Sequence, residues 1–431
     1  MALTLVSQSA LISGVDNSQQ SLEPLPYHVE LRDYLKTTER ELWNWFASAQ
    51  AKADYTENLR LELLKSTYRL DAQGHPELYA GLEEAKARLQ LDIPVTLYQA
   101  QNSVQLNASL FFIPNEGHIV FSGPIFNLLN AEEIKSVIGH ELAHYHLWRR
   151  DGGEFHIADR LIETMAADAR AASSHEQTAR RYRLYTEIFA DRGSLQVTGD
   201  VFPVVAGLVK IQTGLSQVSA AGYLKQADEI FAQSQAKTEG VSHPEAFIRA
   251  RALTLWQQQD EEAETDIASM IEGHAALDEL DLIGQARLTR ATRRLLEQFL
   301  QPKWFRTPTV LGHAKLFFDD FRPVAASPAL AEKRLESPNG VSCNNAEFAG
   351  LNLSDPKLRE YVCYLLLDFV TADPELDEMP LAAALEFSRR LEIEPAFEKL
   401  AARELKMKAR DVRRVKEQAA ELLSKAEAAN E

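Results

Sequence analysis

Three short runs rich in β-branched and aromatic residues interrupt a chain that is otherwise patterned for helices. They are PVTLYQ, ASLFFIP and HIVFSG, and all three lie within residues 94–123. Runs of this kind predict strands, whereas the flanking segments carry apolar residues at helical spacing with charged residues between them. The sequence therefore predicts a mainly α protein with a small β-sheet, an α+β class, in which the sheet directly precedes the helical run NLLNAEEIKSVIGHELAHYHLW.

The length of 431 residues is enough for two to three domains. The first helical pattern, over about residues 27–70, predicts one long helix or a helical hairpin. A later stretch is rich in Pro, Ser, Asn and Gly, as linkers are. In chain order we expect an N-terminal helical segment packing on the core (1–74), a core domain (75–250), a helical extension (251–320), a linker or long loop (321–357) and a helical module (358–431).

Acidic residues outnumber basic ones by 63 to 46, which gives a formal net charge of −17. This charge repels phosphate backbones and argues against nucleic acid as a partner. The two cysteines, Cys343 and Cys363, stand in neither CxxC nor CxxH spacing, which fits a reducing compartment. The N-terminus lacks the positive region of a signal peptide, and no stretch approaches the ~20 apolar residues of a membrane span. We therefore expect a cytoplasmic protein without a transmembrane segment.

The segment GHELAHYHLW contains an HExxH pattern, with His140, Glu141 and His144 in its three defining positions. Residues four apart lie on one face of a helix, so the two imidazoles can be directed at one metal ion. Glu141 points toward the same cavity without lying in line with the metal, which leaves it free to accept a proton from a water molecule. This spacing predicts a metal pair and a general base.

A solvated helix end is the alternative interpretation, because the pattern alone is short enough to arise by chance. The residues inside and before it, VI before Gly139 and LA between Glu141 and His144, are apolar and place the motif in a buried helix. A buried histidine pair without an ion would be costly. His146 is two residues beyond His144, about 200° around the helix, so we interpret it as structural.

A catalytic zinc ion usually has three protein ligands and a water molecule. Downstream, YTEIFADRG contains Glu187 and Asp191, again four residues apart on a predicted helix. We expect Glu187 to be the third ligand and Asp191 to accept the outer N–H of a ligand histidine, His144 being the favoured partner. A surface carboxylate pair is the alternative, but the IFA between the two acids suits a buried helix.

Three pieces of the sequence, in order, resemble the zinc metallopeptidase family that includes the heat-shock protease HtpX and the CAAX prenyl-protein endopeptidases. NASLFFIPNEGHIVFSGPIFNLLNAEEIKSVIGHELAH is similar to the family's strand pair and metal helix, EIFADRGSL to its E-x-x-A-D element, and SHPEAFIRARAL to its S/T-H-P segment followed by an arginine. The resemblance covers about residues 75–250. It implies a gluzincin-like metallopeptidase core, here followed by a helical C-terminal region. HtpX-like members carry membrane helices, which this sequence lacks.

The resemblance implies one Zn²⁺ per chain on the same three ligands, with Glu141 as general base. It adds His243 of the S/T-H-P segment, which would lie near the metal and either stabilise the oxyanion or transiently cover the zinc, and Arg249, which would support that region. A Pro-anchored turn with a capping histidine is the alternative for His243. The resemblance also implies that the edge strand beginning Asn107, Ala108, Ser109 holds an extended peptide by β-augmentation.

The C-terminal block 361–393 has an acidic turn, with acids at 373, 375, 377 and 378, between two helical patterns. It is similar to helical tellurite-resistance TerB-like modules. A calcium loop is disfavoured because the glycine and terminal glutamate spacing of an EF-hand are missing. We interpret these acids as solvated helix caps.

These inferences predict a zinc-dependent metalloendopeptidase, a hydrolase whose partner is a peptide or protein substrate. The alternative is a latent or non-catalytic zinc protein that binds a protein partner through its C-terminal helices. A purely structural zinc site has no use for Glu141, which favours catalysis. Hydrolysis of another kind of amide would share the same metal chemistry.

Overall fold

The computed structural model describes residues 21–233, 236–240, 242–258, 262–273, 277–323, 353 and 355–428, without the side chains of 49–55. The chain divides into two compact units, one ending at Gly273 and the other beginning at His274. This division falls inside the expected helical extension 251–320. Most of the expected linker 321–357 lies outside the described residues, as do Cys343 and the first 20 residues. The other boundaries of the five-part division remain predictions.

The described part of the first unit is helical except for one small sheet. Its helices are α1 (Pro26–Thr38), α2 (Arg40–Ala47), α3 (Ala49–Ser66), α4 (Pro76–Arg88), α5 (Ile125–Leu128), α6 (Ala131–Arg149), α7 (Glu154–Ala167), α8 (Ser173–Thr198), α9 (Val201–Thr213), α10 (Ala220–Gln233), α11 (Ala246–Gln257) and α12 (Ala263–Glu272). A 3₁₀ turn, Arg150–Gly153, joins α6 to α7. The mainly α prediction with a small sheet is confirmed.

The sheet has four strands, β1 (Thr67–Arg69), β2 (Val95–Ala100), β3 (Asn107–Ile113) and β4 (Glu116–Ser122), in the order β1-β2-β4-β3. The three predicted strands are thus present. β2 and β4 are parallel, and the other two pairs are antiparallel. The β3–β4 hairpin runs from the pair Asn107–Ser122 to the pair Ile113–Glu116. Among the described strands, β3 therefore lies at an edge of the sheet, and one side of its backbone is not paired to any of them.

The stretch 27–70, expected as one helix or a hairpin, is instead three helices followed by the short strand β1. The chain leaves the helical conformation at Glu39, whose φ and ψ are −107° and 43°, and at Ser48, which is extended. The amphipathic spacing continues across both breaks, so periodicity alone did not reveal them. β1 forms because it pairs with β2, a contact distant in sequence.

Helix α6 begins at a capping box. The Asn130 side chain accepts from the Glu133 N–H at 3.0 Å, and the Glu133 carboxylate accepts from the Asn130 N–H at 2.9 Å. Glu133 also pairs with Lys210 of α9 at 2.9 Å, and both side chains are buried. Because α6 is buried through most of its length, this cap and ion pair determine how the start of the helix sits against α9.

Helices α6 and α8 approach each other closely through small residues. A Cβ atom on Gly193 would lie 2.3 Å from the Cβ of Ala143, and one on Gly139 would lie 2.9 Å from the Cβ of Val197. Ser194 Oγ donates to the Ser136 carbonyl oxygen at 2.7 Å across the same contact. The two helices run antiparallel, since residues late in α8 meet residues early in α6.

In the second unit the helices described are α13 (Leu282–Phe299), α14 (Pro308–Phe317), α15 (Pro356–Val370), α16 (Met379–Arg390), α17 (Glu394–Glu404) and α18 (Ala409–Ala428). Their apolar faces share one core. In the acidic turn, Asp373 caps the Glu375 N–H and accepts from Thr307 Oγ1 at 2.6 Å, and Glu378 pairs with Arg414. Across the ranges that the structure describes, no helix combines the length and apolar character required to cross a bilayer.

His28 of α1 is a fully buried neutral imidazole. Its Nδ1 accepts from the Leu25 N–H at 3.2 Å, and its Nε2 lies 3.2 Å from Thr186 Oγ1. The Thr186 hydroxyl donates to the Tyr182 carbonyl oxygen, so the Nε2–H of His28 donates to Thr186. Burial, together with the charge of His144, lowers the pKa of His28 to about 3. A proton on Nδ1 would have to displace the Leu25 N–H.

We expect Gly193→Ala to destabilise the first unit, although alanine is the better helix former by about 1 kcal/mol. The added methyl group meets Ala143 at 2.3 Å, so α6 and α8 must separate, at a cost of about 3 kcal/mol. Thermal unfolding of the variant measures this. Combining it with Ala143→Gly should recover much of the loss.

Gly312→Ala in α14 is the matched control, because a Cβ atom there meets no atom within 4 Å. It should leave the stability of the protein unchanged or slightly raise it. A Gly193→Ala protein with wild-type stability would show that the two helices are not held at this spacing.

His28 should make the protein acid-sensitive. Because the folded-state pKa of about 3 is below the unfolded value of 6.5, its contribution is complete above pH 6.5 and is lost as the pH falls toward 3. Between pH 7 and pH 5 the free energy of unfolding should fall by about 2 kcal/mol through this residue. Denaturant titrations of His28→Gln at both pH values should show a smaller fall. The exposed His75→Gln should behave like wild type, and an equal fall in His28→Gln would contradict the assignment.

Candidate metal centre

The structure brings His140 and His144 of α6 together with Glu187 of α8. One donor atom from each residue lies within 4.8 Å of the other two. Glu187 places Oε2 3.4 Å from His140 Nε2 and Oε1 3.7 Å from His144 Nε2. The Nε2 atoms of His140 and His144 are 3.3 Å apart, so the three residues form a triangle of donors. Two imidazoles and one carboxylate thus face a common point.

These three residues fit a metal ion. Glu187 Oε2 is buried and has no hydrogen-bond partner among the described residues, which is costly for a carboxylate oxygen. The two Nε2 atoms face each other at 3.3 Å, so both can be directed at one cation. Two histidines and one glutamate are also the donor set of a class of catalytic zinc sites. A divalent ion would satisfy all three groups at once.

The ionisation of the three groups shows that the site favours a positive charge. Burial lowers the pKa of His140, but its hydrogen bond to Asp191 and the nearby negative charge of Glu187 outweigh this effect and raise that pKa to about 10. Burial and the neighbouring His140 lower the pKa of His144 to about 3. Burial opposes ionisation of Glu187, yet the two histidines and Arg249 hold its pKa well below the usual value. The proton on His140 supplies positive charge at the place that a metal ion would occupy.

Asp191 contacts His140 and not His144, which corrects the expected pairing. Its Oδ1 lies 3.1 Å from His140 Nδ1. Helices α6 and α8 are antiparallel. Asp191, one turn after Glu187 on α8, therefore lies beside His140, which is one turn before His144 on α6. His144 Nδ1 is buried, and no described residue forms a hydrogen bond with it.

Arg249 of α11 forms a bidentate salt bridge with Asp191. Its Nε donates to Oδ2 at 2.7 Å and its Nη2 to Oδ1 at 2.6 Å. Its Nη1 lies 3.6 Å from Glu187 Oε2. Asp191 and Arg249 are both buried, so the contact is shielded from water. A chain from Arg249 through Asp191 to His140 fixes the orientation of that imidazole.

Glu141 lies beside the three donors and is not part of the set. Its side chain is buried, and this burial raises its pKa to about 7. The Leu110 backbone N–H of the edge strand β3 acts in the opposite direction and stabilises the ionised form. A carboxyl group that can hold or release a proton near neutral pH therefore stands next to the donor triangle.

The donors open into a cavity of about 880 Å³. The edge strand contributes Asn107, Ala108 and Ser109 to its wall. His243 also lines it, with Nε2 3.6 Å from Glu187 Oε1, Nδ1 2.9 Å from Ser242 Oγ and 55% of its side chain exposed. All the residues singled out from the sequence as site residues lie in or beside this one cavity.

Among the other cavity residues that sequence reasoning missed are Trp148, Asp159 and Arg183. Trp148 follows His144 by four residues, so its place on the same helix face was a usable signal; its ring stacks on His144 at a centroid distance of 5.6 Å. No local pattern marks the other two. His146 lies outside the cavity lining, with Nε2 3.4 Å from Arg150 Nη1.

We expect Arg249→Lys to weaken metal binding by about tenfold to a hundredfold. Lysine keeps the charge but cannot form the two parallel hydrogen bonds to Asp191, so His140 is held less rigidly. The metal-free protein is titrated with Zn²⁺ in competition with a chelating dye. His144→Ala, which removes a donor, should bind far more weakly.

Arg251→Lys is the control, since Arg251 lies on the same helix and contacts Asp228 at 3.5 Å instead of the metal centre. It should bind Zn²⁺ as wild type does. Equal affinities for Arg249→Lys and wild type would show that the Asp191 contact does not support the donor triangle.

Residues 73–151 match the family model described as Peptidase family M48. The matched segment runs from just before α4 to the end of α6, so it includes the HExxH histidines and Glu141, whereas Glu187 lies beyond it. No curated protein and no solved structure was found to be significantly similar to the chain. The match supports a metallopeptidase of this family, and the cluster of His140, His144 and Glu187 agrees with the metal dependence of such enzymes.

Proposed function

We propose that this protein is a zinc-dependent metalloendopeptidase of the HtpX-like type that acts in the cytoplasm. One observation carries the proposal: three metal donors converge in a cavity that also contains Glu141, outside the donor set, and a sheet-edge strand. The M48 match supports peptidase activity. The peptidase domain would span 75–250, with 1–74 packed on it.

His140, His144 and Glu187 would hold one Zn²⁺ per chain. When bound, the ion supplies Lewis acidity that polarises the scissile carbonyl and lowers the pKa of a water molecule. Asp191 keeps the Nδ1 side of His140 occupied, so the Nε2 side is the one presented to the ion. Arg249 in turn holds Asp191 ionised and in position.

Glu141 is placed to move the proton. Its carboxylate accepts a proton from the attacking water and then delivers it to the leaving amine nitrogen. The pKa of about 7 suits both steps, because the group can accept and donate near neutral pH. This role explains why a buried carboxylate adjoins the donors without being one of them.

The cavity wall suits an extended peptide. β3 is an edge strand, so it offers free backbone groups that can pair with a substrate strand beside Asn107, Ala108 and Ser109. His243, mostly exposed and 3.6 Å from Glu187, is placed to donate a hydrogen bond to the oxyanion that develops on the scissile carbonyl.

A latent or non-catalytic zinc protein is the other function considered. A non-catalytic role would not account for the raised pKa of Glu141 or for the edge strand beside it. A protein partner for the C-terminal helices has no observation in its favour among the described residues of the second unit. The described helices there share a single core, and in the acidic turn Asp373 caps the Glu375 N–H and Glu378 pairs with Arg414.

Glu141→Gln tests the proposal. The amide cannot accept the proton, so we expect casein and peptide cleavage to fall by at least about a hundredfold. The zinc content, measured by atomic emission on the purified protein, should stay at one ion per chain because Glu141 is not a donor.

Glu132→Gln on the same helix is the matched control, since the Glu132 side chain is 62% exposed and pairs with Lys135. It should cleave as wild type does. Unchanged cleavage by Glu141→Gln would overturn its role as the base. A wild-type protein that binds zinc but cleaves no peptide would overturn the proposed function.

A further inference from the structure

The cavity at the metal centre extends along helix α6, and its two ends differ in chemistry. Glu141 meets Leu110 of β3, and the Tyr145 hydroxyl donates to the Ile113 carbonyl oxygen, so α6 and β3 run in the same direction. At the start of α6 the wall carries apolar and neutral polar side chains, among them Val204 and Leu208 of α9 and Ser136 of α6. At the other end the lining residues are Trp148, Asp159 and Arg183.

Asp159 of α7 is the unpaired charge at this end. Its carboxylate forms no hydrogen bond and no ion pair with any residue that the structure describes. Burial, with Glu163 nearby, raises its pKa to about 7. The charges of Arg183 and Arg160 favour the ionised form, but neither guanidinium group forms an ion pair with Asp159, so a cation in direct contact would stabilise the carboxylate further. It lines the cavity, so that cation can come from a bound molecule.

Arg183 does not supply the missing cation, because Glu163 already engages it. Its Nη1 donates to both carboxylate oxygens of Glu163, at 2.9 and 2.8 Å. The charges of that pair offset each other. Asp159 is therefore the carboxyl group in the lining at this end that has no salt-bridge partner among the described residues.

Asp159 lies within reach of a residue next to the scissile bond. Arg183 lines the same end of the cavity as Asp159. It is one turn before Glu187 on α8, which corresponds to about 6 Å along the helix. An extended peptide covers that distance in about two residues. Trp148 lines the same cavity, stacks on His144 and offers an apolar surface for a methylene chain.

We infer that Asp159 forms a specificity subsite for a basic side chain, lysine or arginine, within about two residues of the scissile bond. The inference rests on the proposed peptidase function and names its substrate class. The ammonium or guanidinium group pairs with the Asp159 carboxylate while its methylene stem packs on Trp148. Asp159 touches the substrate side chain and not the reacting atoms, so it determines specificity.

The test begins with a casein digest, in which mass spectrometry identifies one cleaved peptide. Fluorogenic copies of that peptide then carry lysine, norleucine or glutamate at each of the two positions on either side of the cleaved bond. At one of these positions we expect lysine to raise kcat/KM over norleucine by about tenfold or more, the gain typical of a charged hydrogen bond. Glutamate there should be the poorest of the three.

Asp159→Asn should reduce the lysine-to-norleucine ratio to near one, and Asp159→Lys should make glutamate the preferred residue. Asp168→Asn is the matched control: this fully exposed carboxyl group at the end of α7 is not in the cavity lining, and the ratio should stay at the wild-type value. Binding gives a second readout. In Glu141→Gln, fluorescence anisotropy should show tighter binding of the lysine peptide, and adding Asp159→Asn should abolish that difference.

The possible outcomes distinguish failure of the Asp159 subsite from failure of the proposed peptidase function. Cleavage with no preference for basic residues would overturn the Asp159 subsite and leave the peptidase proposal intact. A wild-type preference for glutamate would assign the selection to Arg183 instead and would also overturn it. Failure to cleave any peptide would overturn the proposed function itself; fluorescence anisotropy with labelled casein-derived peptides that differ only in lysine against norleucine would then still decide whether Asp159 binds a basic side chain.

Discussion

The close antiparallel contact between α6 and α8 is the constraint on which the rest of the site depends. Gly193 against Ala143 and Gly139 against Val197 bring the two helix backbones together. At that spacing a glutamate side chain from one helix reaches imidazoles on the other. A wider spacing would move Glu187 away from both histidines, and the donor triangle would be lost although every donor residue remained in the sequence.

Helical periodicity was sufficient to predict much of this centre. The four-residue spacing of His140 and His144 determines that they share a face, and the same spacing in Glu187 and Asp191 gives both carboxylates one direction. The apolar residues around each pair indicated burial. These are properties of a single helix, so they can be read without knowing what the helix packs against.

Helical periodicity could not predict properties that depend on how two secondary-structure elements pack together. The relative direction of α6 and α8 decides which histidine Asp191 contacts, and nothing within either helix specifies it. Likewise, Asp159 and Arg183 become cavity residues only because α7 packs beside α8. The helix ends at Glu39 and Ser48 and the strand β1 were missed for a similar reason: the amphipathic pattern crosses the breaks, and β1 needs its partner β2 to form.

The contacts that align α6 with α8 do not involve a metal ion. The small-residue packing and the Ser194–Ser136 hydrogen bond are formed by the polypeptide alone. The Arg249–Asp191 contact orients His140 through the Nδ1 side of its ring. In zinc fingers, by contrast, metal binding supplies the free energy of folding. Here the scaffold is preorganised, so the ion would be exchangeable: a chelator could remove it and a salt solution restore it without the chain passing through an unfolded state.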